Sequence, residues 1–163
     1  MGDSDEEQPL KLELDLNVLN HLGINLYSNT PAVLTEIVAN AWDADAANVE
    51  VIIDSGLNTI TITDDGIGMD YIDLKTKFLT VGYPRRDHGE TQTPSGRQCM
   101  GRKGIGKLAM FSLAKNIVVV TKKADGDPYG LVFSVEDLKA KIKDKKEYIP
   151  LRITDFSKYY LPL

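Results

Sequence analysis

Sulfur and imidazole are scarce in this 163-residue chain, which has one cysteine, Cys99, and two histidines, His21 and His88. A lone cysteine excludes a disulfide framework within the chain and fits a reducing compartment. No Cys or His cluster has metal-site spacing. No apolar run approaches the ~18 residues that a membrane span needs, so no membrane partner is expected. The start, Met1-Gly2-Asp3-Ser4-Asp5-Glu6-Glu7, is acidic rather than basic, unlike a signal peptide, and Glu6 stands where myristoylation needs Ser or Thr. Positive charge is also short. With a formal net charge of −5, the segment has no electrostatic footprint for nucleic acid, which is expected only through regions outside it. A cytoplasmic protein is the expectation.

What is present is enough apolar content, 42%, to bury one core. Residues 1–9 read as a flexible acidic tail and 10–163 as a single domain, expected to be the N-terminal piece of a longer protein. Leu10, Leu12, Leu14 and Leu16 alternate like a short strand or an arm laid over another surface, and a helix could follow at 18–22. Thr30 then caps a helix with Pro31 at its first position, running to about Ala44. Residues 49–53 and 59–63 alternate at period two around Ser55-Gly56-Leu57-Asn58, a β-hairpin signal. Residues 70–80 read as helix, and 82–100 as a long loop without period, of the kind that carries function. A helix is expected from Gly106 to Ala114, and strands at 117–121, 130–135 and 148–156. Glu136 to Lys146 reads as a lysine-rich helix or a solvated loop.

Three motifs carry the chemistry. The first is Glu36-Ile37-Val38-Ala39-Asn40-Ala41-Trp42-Asp43. Residues four apart share a helix face, so Glu36 and Asn40 can address one ligand. A glutamate there can orient and deprotonate a water, and an asparagine carbonyl can serve a magnesium ion whose other ligands are phosphates. Asp43 lies on the same face and can support the ion through water. Solvated polar positions on an amphipathic helix are the plain alternative, but apolar neighbours crowd both side chains. Trp42 reads as packing.

The second motif is Asp64-Asp65-Gly66-Ile67-Gly68-Met69, at the end of a strand. Asp64 can accept from the exocyclic amine of adenine, and Gly66 and Gly68 allow close backbone approach or φ > 0. An Asp-Gly turn is the alternative. The third motif, Gly101-Arg102-Lys103-Gly104-Ile105-Gly106-Lys107, meets the first seven positions of a P-loop. The eighth is Leu108, where a P-loop needs Ser or Thr, and no buried strand precedes it. A glycine-rich lid entering a helix N-terminus fits better, its N–H groups holding phosphate. Lys103, Lys107, Arg102 and Arg97 supply positive charge, with Arg97 the best candidate for an ordinary solvated residue.

In this order and spacing, Glu-x-x-x-Asn-x-x-Asp, Asp-x-Gly-x-Gly and Gly-x-x-Gly-x-Gly resemble the GHKL ATPases: gyrase B, heat-shock chaperone 90, histidine kinases and MutL. The wording is nearest the MutL, chaperone and MORC-like branches. The resemblance spans about 32–113. It implies an α/β fold, the Bergerat-type two-layer α+β sandwich, with a mixed, mostly antiparallel sheet covered by helices on one face. It implies ATP and Mg2+ as cofactors, Glu36 as catalytic base and Asn40 as metal ligand. It makes Asp64 the adenine reader, with Gly66, Gly68 and Met69 at the base pocket. Gly101, Lys103, Gly104, Ile105, Gly106 and Lys107 would form the ATP-closing lid, with 82–100 part of it. Thr154 and Thr121 are candidates for the family's late threonine. The implied activity is slow ATP hydrolysis that drives homodimerisation or remodelling, with arm exchange by 10–16 and a lysine from a downstream transducer domain. Two alternatives stay open: a nucleotide-responsive binding module with little turnover, and a histidine protein kinase, which Glu36 disfavours.

Overall fold

The computed structural model describes residues 10–12, 29–80, 91–101, 106–144 and 147–159, with 106–108 as backbone only. The expected helix at 18–22, the remainder of the arm and residues 82–90 lie outside these.

Helix α1 spans Thr30–Asp43. Its cap position is Asn29, one residue before the expected Thr30, and Pro31 sits in the first turn, where its missing N–H costs nothing. The helix ends because Asp45 turns left-handed, at φ 61°. The Ala46 N–H then reaches back to the Ala41 carbonyl at 3.0 Å and closes the helix end.

Strands β1 (Val49–Asp54) and β2 (Thr59–Asp64) form the expected antiparallel hairpin, with Val51 opposite Ile62 and Ile53 opposite Ile60. Its turn is set by Asn58 at φ 53° and by the Asp54 carboxylate accepting from the Leu57 N–H at 2.9 Å. Val51, Ile53 and Ile60 share one face and remain exposed. The hairpin therefore serves less to build the core than to deliver Asp64 and Asp65.

Residues 70–80 are helical but not uniformly α. A short α2 (Tyr71–Asp73), opened by a reciprocal Asp70–Asp73 capping box, widens into a π turn at Leu74–Phe78. The wider turn points both Leu74 and Leu79 inward, and both are fully buried. The helix expected after Gly106 is a tighter 3-10 helix, Gly106–Ser112, which packs against α1. Strands β3 (Asn116–Thr121) and β4 (Tyr129–Ser134) pair antiparallel, with β5 on the far side of β4. Strand β5 is only Leu151–Arg152, shorter than the expected 148–156; Tyr148 at the start of that span bridges instead to Leu12 of the arm. Ser134 caps α3 (Val135–Lys143) by accepting from the Asp137 N–H at 3.2 Å, so the lysine-rich segment is a helix up to Lys143.

The result is an α/β fold in which every described strand pairing is antiparallel, in one sheet of two strands and one of three. Phe133 on β4 is the centre of the core. Phe111 and Phe78 meet it edge-on, at ring distances of 5.5 and 6.4 Å, and Tyr148 stacks at 6.3 Å. Leu10 and Leu12 of the arm are buried in the same cluster, and the Leu12 N–H donates to the Tyr148 carbonyl at 3.0 Å. Truncating Phe133 leaves a void walled by three rings. Phe133→Ala is expected to lower unfolding free energy by about 3–5 kcal/mol, read from urea denaturation.

Candidate functional site

The three motifs meet at the C-terminal end of α1. Glu36 is half-buried and Asn40 exposed along the helix, one turn apart on the same face. Trp42, Asp43, Ala44, Asp45 and Ala46 then make the contacts that bind the other two motifs to the helix.

The second motif is joined by backbone and carboxylate. The Ile67 N–H donates to the Ala44 carbonyl at 2.8 Å. Asp65 accepts from the Ala47 and Asn48 N–H groups at 2.7 and 2.8 Å, and from the Asn48 carboxamide at 2.8 Å. Those bonds, from the Asn48 backbone first and then its side chain and Ala47, hold the Asp65 carboxyl below its usual 3.8. The acidic pair therefore divides its labour. Asp65 ties the hairpin to the helix, while Asp64 is exposed and accepts from the nearby Gly66 N–H at 3.0 Å.

Packing leaves no room for a Cβ at either glycine of this motif. A Cβ on Gly66 would meet the Ala44 carbonyl oxygen at 2.7 Å. Gly68 has φ +66°, and a Cβ there would fall 1.9 Å from the Lys122 carbonyl oxygen. The next residue, Met69, donates its N–H to the Thr121 hydroxyl at 2.9 Å. Lys123 then bridges Asp70 and Asp73 at 2.7 and 2.6 Å, and Asp70 first, with Asp73, pushes its ammonium above the usual 10.5. The end of β3 is thus a wall for the second motif. Thr121 takes part through its hydroxyl, whereas Thr154 is exposed.

The third motif enters from residues 91–101. They form a tight turn docked on the end of α1, unlike the aperiodic loop expected over 82–100. The Thr93 N–H donates to the Arg97 carbonyl at 2.9 Å, and the Cys99 N–H to that of Thr91 at 3.0 Å. Arg97 is no solvated residue. Its guanidinium lies 4.8 Å over the Trp42 ring and donates to the Ala46 carbonyl at 2.6 Å. Trp42, read as packing, also donates through Nε1 to the Gln98 carbonyl at 3.0 Å. Asp45 accepts from the Ser95 N–H and hydroxyl at 2.9 and 2.5 Å, and the hydroxyl bonds of Ser95 and Thr93 hold its carboxyl low. Asp43 is buried and accepts from the Met100 and Gly101 N–H groups. Lys103, Gly104 and Ile105 lie outside the described residues, as does the Lys107 side chain; Gly106 opens the 3-10 helix.

No three His, Cys, Asp or Glu side chains among the described residues gather as a cation site of their own. The oxygen donor near Glu36 is the neutral Asn40 carboxamide. That set fits magnesium carried in on phosphates, which keeps most of its shell as water and phosphate oxygen. Sequence reasoning missed Asp65, Arg97, Asp45, Ser95 and Lys123. Each acts on a partner 17 or more residues away, so local spacing holds no signal of it.

Comparison with known proteins gives the family. Residues 27–159 match the family model described as histidine kinase-, DNA gyrase B- and HSP90-like ATPase. Over 138 residues the chain is 46% identical to HgiDII of Herpetosiphon aurantiacus, a protein named as a candidate type II restriction enzyme, covering 85% of this chain and 21% of that one. It is 33% identical over 145 residues to the chaperone protein HtpG of Helicobacter pylori, covering 74% of this chain and 23% of the chaperone. The HtpG of Campylobacter jejuni strain RM1221 is 31% identical over 143 residues, covering 72% and 23%. The chain thus spans under a quarter of the length of these relatives. It belongs to the histidine kinase-, gyrase B- and HSP90-like ATPase family, and that membership supports ATP binding. No helix among the described residues is long and apolar enough to cross a membrane.

The depressed Asp65 carboxyl makes the helix–hairpin joint acid-sensitive. A carboxyl lowered in the folded state adds stability above its unfolded value of 3.8, and that stability is lost as pH falls through the lower folded value. The wild-type urea midpoint is therefore expected to drop on acidification below pH ~4, and Asp65→Asn to flatten that limb while lowering the midpoint at neutral pH. Urea titrations across pH 3–7 check both.

Proposed function

We propose that this domain binds ATP with Mg2+ and hydrolyses its terminal phosphate, as the nucleotide-driven part of a larger protein. The observation that carries the reading is the convergence of all three motifs on one end of α1, with Glu36 and Asn40 on one face beside them. Asp64, exposed and bonded to the nearby Gly66 N–H, accepts from the exocyclic amine of adenine, which guanine lacks at that place. Gly66, Gly68 and Met69 shape the wall against which the base lies. Glu36 orients the attacking water and takes its proton, and the Asn40 carboxamide oxygen would hold the magnesium ion. That ion, when bound, neutralises charge building on the phosphates. Third-motif residues Lys103, Gly104, Ile105, Gly106 and Lys107 supply the phosphate-side lid.

The same reading places the domain in the cytoplasm as one half of an ATP-dependent homodimer. A downstream transducer domain would complete the phosphate site, so the segment alone turns over slowly. The resemblance to a protein named as a restriction enzyme makes a DNA-acting assembly the best setting. With a net charge of −5 here, contact with nucleic acid would fall to other parts of the protein.

Two substitutions separate binding from chemistry. Glu36→Ala should lower kcat by about 10²–10⁴-fold with ATP affinity kept, in line with removing a general base. Asp64→Asn should weaken ATP binding by about tenfold or more, since it breaks a charge-assisted hydrogen bond to the base. Phosphate release and calorimetric titration measure the two effects. Undiminished hydrolysis by Glu36→Ala would remove it as the base, and ATP binding without turnover in the full-length wild type would favour the nucleotide-responsive module.

A further inference from the structure

We propose that Asp43 is a positioning residue rather than a ligand. Its carboxylate caps the two amides at the mouth of the glycine-rich motif and fixes that mouth to the helix carrying Glu36 and Asn40. The link to catalysis rests on the ATPase reading above; the tether itself does not.

The geometry is specific. Asp43 is 6% exposed, and its two oxygens are divided between successive amides: Oδ1 accepts from the Met100 N–H at 2.7 Å and Oδ2 from the Gly101 N–H at 2.9 Å. Two consecutive N–H groups turned to one side form an anion-binding concavity, the kind of element a phosphate would occupy. Here the protein's own carboxylate fills it. The amides of Met100 and Gly101 are therefore committed, and phosphate contacts must come from beyond Gly101. This changes what Gly101 is for. A Cβ on that residue would lie 2.8 Å from Asp43 Oδ2 and push the carboxylate off the amides, so glycine suits the position. It need not touch nucleotide at all.

The surrounding contacts keep the mouth from drifting. Gln98 is held by Trp42 Nε1, Arg97 by the Trp42 ring and the Ala46 carbonyl, and Ser95 by Asp45. Asp43, Trp42 and Asp45 all belong to the last turn of α1 or the residue pair after it. A displacement of Met100 and Gly101 would therefore strain the same turn that sets the direction of Asn40, one turn upstream. The helix with the hydrolytic side chains and the start of the phosphate-binding motif move as one piece.

The test begins without nucleotide. In the full chain, Asp43→Asn should speed amide hydrogen exchange at Met100 and Gly101 by about tenfold or more, the loss of a hydrogen bond to a charged group. Gly96, bonded to the Thr93 carbonyl, should stay protected. In ATPase assays the variant should raise KM for ATP by about tenfold with kcat within about twofold, and leave the Mg2+ concentration for half-activation unchanged. Gly101→Ala crowds the carboxylate from the other side and should give the same KM rise, the double variant being no worse than either single. Unchanged exchange at Met100 and Gly101 overturns the tether. A higher Mg2+ requirement in Asp43→Asn but not in Gly101→Ala makes Asp43 an ion ligand, and also overturns it. If the wild type neither binds nor hydrolyses ATP, the ATPase reading falls while the exchange result still decides the tether.

Discussion

The candidate site depends on how α1 ends. Asp45 adopts a left-handed conformation, which turns the chain and brings the carbonyls of Ala44 and Ala46 and the carboxylates of Asp43 and Asp45 out around the helix terminus. A helix C-terminus normally presents unsatisfied carbonyls. Here the turn itself takes the carbonyls of Asn40, Ala41 and Trp42, and the residues just past the helix offer theirs to incoming chain: Ala44 takes the Ile67 N–H and Ala46 takes the Arg97 guanidinium. Left-handed backbone is costly for a residue with a Cβ, though aspartate tolerates it better than most. Here the cost is offset because the Asp45 side chain is then directed at Ser95, where it accepts two bonds.

Carboxylates dominate these joints for a physical reason. Segments that must approach a helix end closely offer backbone N–H groups, and an ionised carboxylate is the strongest acceptor the chain owns. Asp43, Asp45 and Asp65 each receive at least two donors, and five of their donors are backbone amides. Such an arrangement orders loops without apolar burial. The core lies elsewhere, around Phe133, and reaches the site through Met69, the β3–β4 pair and the 3-10 helix. Stability and site geometry are thus served by different interactions. A network of carboxylate–amide bonds shapes the site on a scaffold of ordinary aromatic packing.

Much of this was legible in residues read along the chain. The α1 and hairpin spans followed from helical and two-residue periodicity, and Leu108 was enough to exclude a P-loop. Where the reading fell short, the missing information was a distant partner. Residues 91–101 have no period because their order comes from Trp42, Asp43 and Asp45, some fifty residues earlier. Arg97 looks solvated until the indole beneath it is known. The strand expected at 148–156 is two residues long, because alternation alone does not register that Tyr148 bridges to the distant Leu12.

By itself the sequence determined which chemistry is possible. A glutamate and an asparagine one turn apart, an aspartate at a strand end and three glycines in order depend on identity and spacing, and spacing on a helix or strand is fixed by backbone geometry. The tertiary structure alone decided which acidic residue does what. Asp43, Asp64 and Asp65 are alike as residues. Burial and the direction of neighbouring amides make Asp43 and Asp65 tethers and leave Asp64 exposed. Hydrogen bonds across long sequence separations are satisfied only when the chain folds, so no local pattern could have divided those roles.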